Sequence, residues 1–69
     1  MLNENTALLS REFNRIKAEV REMEEQLIRA MIRGATHEEV KILKDNIEKH
    51  KRTRDYYSQE MMNSLSRKG

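Results

Sequence analysis

Apolar positions recur at alternating spacings of four and three from Leu9 through Phe13, Ile16, Val20, Met23 and Leu27 to Ala30. Three heptads of this kind place one continuous stripe along a single face of an α-helix. The stripe stops at Gly34, a residue suited to the left-handed position that closes a helix because it has no Cβ to clash at positive φ. It resumes after Thr36-His37-Glu38-Glu39, whose Thr and Glu three residues apart form a capping box: the hydroxyl accepts from the Glu39 amide while the carboxylate reaches back to the Thr36 amide. The second stripe runs Val40, Leu43, Ile47, His50, Arg54, Tyr57, Met61 and then Ser64 or Leu65, and is polar at two central places.

These patterns predict an all-α chain in which helix 1 covers about 6–33, a turn 34–36, and helix 2 about 37–65. Thr6 or Asn5 is the expected N-cap of helix 1. A connection this short forces the helices antiparallel, giving a coiled-coil-like hairpin. Pairing about the turn sets Leu27 by Leu43, Met23 by Ile47, Val20 by His50, Ile16 by Arg54, Phe13 by Tyr57 and Leu9 by Met61. Helices of this length, about 40 Å at 1.5 Å per residue, make a thin rod with no third element to close it.

Composition agrees with long surface helices. Of 69 residues 38% are charged and 36% hydrophobic, with no proline, cysteine or tryptophan. Without cysteine there is neither a disulfide nor a thiolate zinc site to reinforce a small core, so another chain is the remaining natural support. The opening Met1-Leu2-Asn3-Glu4-Asn5 has neither a basic region nor an apolar one, and no apolar stretch is long enough to span a bilayer. The expectation is a cytoplasmic protein that makes no membrane contact.

Charge changes the picture in one place. Residues 1–35 hold six basic and six acidic side chains, whereas residues 36–69 hold eight and six, with Lys49, Lys51, Arg52 and Arg54 bunched together. Glu48 and Asp55 flank that run and its charges point to several sides of the helix, unlike the one-sided stripe that nucleic acid selects. Arg54, on the seam, is expected to lay its stem over Ile16 and send its guanidinium toward Glu12 or Glu19. Glu22 or Glu25 should pair with Arg29 on the outer face.

Candidate chemistry is sparse. His37 and His50 lie thirteen apart with no acidic or cysteine partner at ligand spacing, and His50 fits a half-buried seam position against Val20. No nucleophile–base arrangement, glycine-rich phosphate loop or zinc-protease motif occurs, so no catalytic, cofactor or metal residues are assigned, and the chain reads as an interaction module rather than an enzyme. Ile28, Met31 and Ile32, with Ile42 across the turn, fall off the seam and form the first candidate docking face. Phe13, Tyr57 and Met61 at the open end form the second.

The segment Ala30-Met31-Ile32-Arg33-Gly34-Ala35-Thr36-His37-Glu38-Glu39-Val40-Lys41-Ile42-Leu43, with the hairpin around it, resembles the small co-chaperones of type III secretion needle subunits, the YscE/PscE/EscE type. Members of that family are antiparallel hairpins whose turn carries an Arg-Gly pair, here Arg33-Gly34, followed by polar residues and an aliphatic or aromatic position. The likeness spans roughly residues 20–62, and the charged stretch Lys49–Arg54 departs from the more neutral second helix of the family. It implies a protein of the Gram-negative cytoplasm that binds a helical-repeat partner chaperone and, through it, keeps the needle subunit from polymerising. Two other readings stand beside it. One is a homodimeric bundle that uses the basic run on DNA or RNA and also allows self-association of the isolated chain. The other is a two-helix phosphatase of sporulation response regulators, whose Ser-Gln-Glu-Leu-Asp signature is replaced here by Leu43-Lys44-Asp45-Asn46-Ile47.

Overall fold

A computed structural model describes residues 4–66. Two α-helices account for nearly all of it: α1, Glu4–Arg33, and α2, His37–Ser66. They lie antiparallel in a rod measuring 54 × 15 × 11 Å. The hairpin expected from the two stripes is therefore the fold.

The turn is built from local chemistry. Gly34 has a φ of 89°. Its amide donates to the Met31 carbonyl at 3.1 Å, and the Ala35 amide donates to the Ala30 carbonyl at 2.8 Å. These two bonds are the Schellman closure, which satisfies carbonyls the helix end would leave open. Arg33 in the last turn of α1, and Glu38 and Glu39 in the first turn of α2, carry charges that suit the helix dipoles.

A Cβ built at Gly34 meets no atom within 4 Å, so only the backbone conformation opposes a side chain there. Gly34→Ala should accordingly destabilise the hairpin by about 1–2 kcal/mol, the usual penalty of an L-residue in the left-handed region. D-alanine at the same position should be neutral or stabilising. Urea melts of the two synthetic chains separate this conformational cause from a steric one, for which both residues would cost stability.

At the start of α2 the Glu39 amide donates to the Thr36 hydroxyl oxygen at 3.2 Å, as the capping box requires. The reciprocal arm differs from expectation. The Thr36 hydroxyl donates to Glu39 Oε1 at 3.2 Å, so the carboxylate rests on the hydroxyl rather than on the Thr36 amide. The start of α1 also differs. The chain is already helical at Glu4, which puts Asn5 and Thr6 inside the helix and removes Thr6 from the capping role.

Thr6 instead extends the seam by one step. It is buried and hydrogen-bonded to Ser64, 58 residues away. The numbers 6 and 64 add to 70, as do those of every pair expected about the turn, so this contact marks the predicted register at the open end. It also settles the last seam position, because Ser64 faces α1 while Leu65 is 52% exposed. α2 is helical through Ser66, the last described residue, one beyond the expected 65.

The core is slender. Ile16, Val20 and Ala30 from α1 and Ile47 from α2 are its buried hydrophobic residues, and no large side chain is completely enclosed among the described residues. Leu9, Phe13, Met23, Leu27, Val40, Leu43, His50, Arg54, Tyr57 and Met61 line the same seam half-buried. Two helices alone cannot surround the side chains between them, since each seam residue keeps an edge toward one of the two grooves.

Candidate partner-docking faces

With about 3.6 residues per turn, positions beside the seam separate into two flanks. On the first flank α1 presents Glu24, Ile28 and Met31, and α2 presents Lys51, Met62 and Leu65. Lys51 Nζ lies 3.3 Å from Glu24 Oε2 and links the helices there. Both groups are partly exposed, so the pair adds little stability and acts mainly as a marker of register. An open groove of about 300 Å³ runs beside it, lined by Leu27, Ile47, Lys44 and Glu48 among others.

The middle of the second flank is polar. Arg15 holds Glu12 at 2.9 Å and Glu19 at 3.3 Å along α1. The hydrogen bond and charge of Glu12, followed by the charge of Glu19, push the Arg15 guanidinium further above its ordinary range. Arg15, Glu19, Lys49, His50 and Thr53 line a groove over Ile16. Glu25 and Arg29, 3.7 Å apart, form the expected pair on the outer face.

The four apolar residues expected to form one docking face by the turn are all exposed, but they do not share a side. Ile28 and Met31 lie on the first flank. Ile42, in step with Asn46, Lys49 and Thr53, lies on the second. Ile32, 82% exposed, points away from α2 altogether. The second candidate set has a different place. Phe13, Tyr57 and Met61 are half-buried in the seam. The Lys17 ammonium sits 5.8 Å from the centre of the Phe13 ring, and Tyr56 meets Tyr57 edge to face at 5.4 Å. The apolar surface at the open end is instead Leu8, Tyr56, Met62 and Leu65, each more than half exposed. Their off-seam spacing in the sequence was the signal that could have found them.

The basic run is distributed around α2. Lys51 faces the first flank, Lys49 the second, and Arg52 the solvent side. Arg54 does not reach Glu12 or Glu19; its Nη2 lies 3.2 Å from Asp55 Oδ1 on its own helix. Glu12 and Glu19 are already held by Arg15, and the neighbouring aspartate costs fewer frozen rotamers. The His50 Nδ1 lies 3.1 Å from the Asn46 carbonyl oxygen, and the Thr53 hydroxyl donates to the Lys49 carbonyl at 3.2 Å. The Arg54 and His50 bonds tie the two polar seam positions to their own helix.

Among the described residues no group of three or more His, Asp or Glu side chains is placed to hold a metal ion, and no helix is long and apolar enough to cross a membrane. Comparison with protein-family models, curated proteins and solved structures returns no match for this chain. The site is thus defined by its geometry alone: exposed apolar side chains on the edges of a two-helix rod.

Proposed function

We propose that this hairpin is a small co-chaperone of the type III secretion needle. It binds a helical-repeat partner chaperone in the cytoplasm of a Gram-negative bacterium and, through that partner, helps keep the needle subunit unpolymerised, a role that serves virulence. The observation that carries the reading is the exposure of Ile28, Met31 and Ile32 beside a turn of the Arg33-Gly34 type, on a rod whose own core is too slender to use them. An unassembled needle subunit would expose an amphipathic helix that self-associates, and a chaperone complex that covers it lowers the free concentration by mass action. In this role the small protein chiefly stabilises its partner.

A tagged pull-down from the native bacterium, with mass spectrometry of whatever is recovered in stoichiometric amount, tests the assignment. A small helical-repeat protein, with or without a needle-sized subunit, is the expected result. Recovery of nucleic acid, or of this chain alone, would overturn it. Ile28→Asp with Ile32→Asp should abolish co-purification while the circular dichroism remains helical, because both side chains are in water in the free chain and neither supports the hairpin. Retention of the partner by that variant would remove this end of the rod from the interface.

A further inference from the structure

The flank that Glu24 and Lys51 join repeats the four-three spacing of the seam, one step to its side. On α1 it runs Lys17, Arg21, Glu24, Ile28 and Met31, and on α2 Lys41, Lys44, Glu48, Lys51 and Asp55, each in step with that ion pair. Five basic and three acidic side chains therefore share one side of the rod. Residues 4–66 as a whole are balanced, because the 14 basic residues of the chain less Arg67 and Lys68 equal the 12 acidic ones. The excess on the flank is thus made by folding. It draws on both helices, and only Lys51 of the conspicuous run Lys49–Arg54 contributes to it.

Internal pairing leaves most of these cations unmatched. Lys51 holds Glu24 at 3.3 Å, and Asp55 is taken by Arg54 at 3.2 Å. Among the described residues no carboxylate lies within ion-pair distance of Lys17, Arg21, Lys41 or Lys44. The Lys17 ammonium rests instead on the Phe13 ring. Four cations remain against one carboxylate, Glu48.

The register sets apolar and basic side chains opposite one another. Residues whose numbers add to 70 share a level, so Met31 and Ile28 stand level with residues 39 and 42 of α2. Lys41 and Lys44 alternate with them along the rod. The groove beside them, of about 300 Å³, is lined by Leu27, Ile47 and Lys44 among others. A second hollow of about 600 Å³ shares Glu24 with it and passes Lys17, Arg21 and Arg54. Near the turn the α1 wall is apolar and the α2 wall basic. From Met31 to Lys17 the stretch is about 21 Å long, four turns of an α-helix.

We infer that this flank receives an acidic amphipathic helix of another protein, about four turns long. Its apolar side chains pack on Ile28, Met31 and the groove, and its Asp or Glu side chains meet Lys41, Lys44 and Arg21. Helix-in-groove recognition supplies both kinds of contact along one face, and the charges fix which helix fits and in which direction. A phosphate backbone would satisfy the cations but leave Ile28 and Met31 without an apolar partner, and the flank positions carry no aromatic ring to stack on bases. An anionic bilayer would press Glu24 and Glu48 against its own charge. The inference deepens the proposed function by giving the docking helix of the partner a chemistry, and rests on that reading only for which protein supplies the helix.

A display library of helical peptides about 18 residues long, with apolar residues fixed at helical spacing, tests this. The positions beside the apolar stripe are drawn equally from Glu, Lys and Ser. Selection on the folded wild-type chain should enrich Glu over Lys by about twofold to fivefold per contacting position, the worth of a partly exposed ion pair. Selection on Lys41→Glu with Lys44→Glu should reverse that preference toward Lys at the same positions, whereas Lys49→Glu on the second flank should leave it unchanged. Ile28→Asp with Met31→Asp should weaken the best peptide at least about tenfold by placing charge in an apolar contact. Enrichment of Lys, no enrichment, or a Glu preference that survives Lys41→Glu with Lys44→Glu would overturn the inference. So would a single-stranded oligonucleotide, or vesicles of anionic phospholipid, that bind more tightly than the best peptide. Helical circular dichroism of each variant confirms that folding is intact. The peptides come from no organism, so the outcome is separate from that of the pull-down: an unexpected partner there sinks the needle assignment alone, and a failed selection sinks the acidic helix alone.

Discussion

Ile47→Ala should leave much of the chain unfolded at 25 °C. Ile47 is the only buried hydrophobic residue that α2 contributes among the described residues, and it is 5% exposed opposite Met23. Removing a buried isoleucine side chain to its Cβ costs about 2–5 kcal/mol, through lost transfer free energy and the cavity left behind. A core of this size supplies only about 3–5 kcal/mol in all. The loss is therefore comparable with the whole stability. Ile42→Ala provides the contrast, since Ile42 sits five residues earlier on the same helix with its side chain 55% exposed. That change should shift the urea midpoint little, within about 0.5 kcal/mol. Melts at one fixed chain concentration compare the two, and equal effects would mean that Ile42 is buried in solution by a contact the single chain lacks.

The opposite change is expected in the middle of the seam. His50→Leu with Arg54→Leu should raise stability by about 2–3 kcal/mol, because two half-buried polar side chains opposite Val20 and Ile16 give way to residues that gain by burial. Little is lost in exchange. The Arg54–Asp55 pair lies at the surface, where such pairs contribute roughly 0–1 kcal/mol, and the His50 bond to the Asn46 carbonyl uses an oxygen of its own helix. A higher urea midpoint with a cooperative transition is the expected result. A broad transition would show instead that the polar positions hold the register, as single polar residues on a coiled-coil seam can. Repeating the melt at several concentrations separates hairpin stability from any increase in association.

The two readings of a polar seam differ in what they ask of the native chain. If burial governs, His50 and Arg54 hold the free hairpin at marginal stability, and a covering chain gains from ordering it. If register governs, they disfavour slipped pairings in which the two stripes meet one heptad out of step. Thr6 and Ser64 already oppose such slippage, because a shift of one turn sets one of the two hydroxyls against an apolar side chain, Thr6 by Met61 in one direction and Ser64 by Leu9 in the other. The burial reading is for that reason the one on which the gain expected from His50→Leu with Arg54→Leu rests.

Much of this architecture was legible from spacing alone, because local rules act at short range along a helix. The four-three repeat located both stripes, Gly34 located the turn, and Thr36 with Glu39 located the start of α2, each through contacts within a few residues. The short connection then left no arrangement but antiparallel, and with it the pairing of Leu27 with Leu43 through to Leu9 with Met61. What the tertiary structure decided were choices among competing partners. Arg54 took Asp55 rather than Glu12 or Glu19, whose charges Arg15 had already engaged. Ser64 rather than Leu65 turned inward because Thr6, not itself a cap, offered a hydroxyl at the same level. Ile28 and Met31 parted from Ile32 and Ile42 although all four cluster near the turn in sequence. Which flank a side chain joins depends on its angle from the seam of its own helix, and that seam exists as a physical reference only once the second helix lies against it.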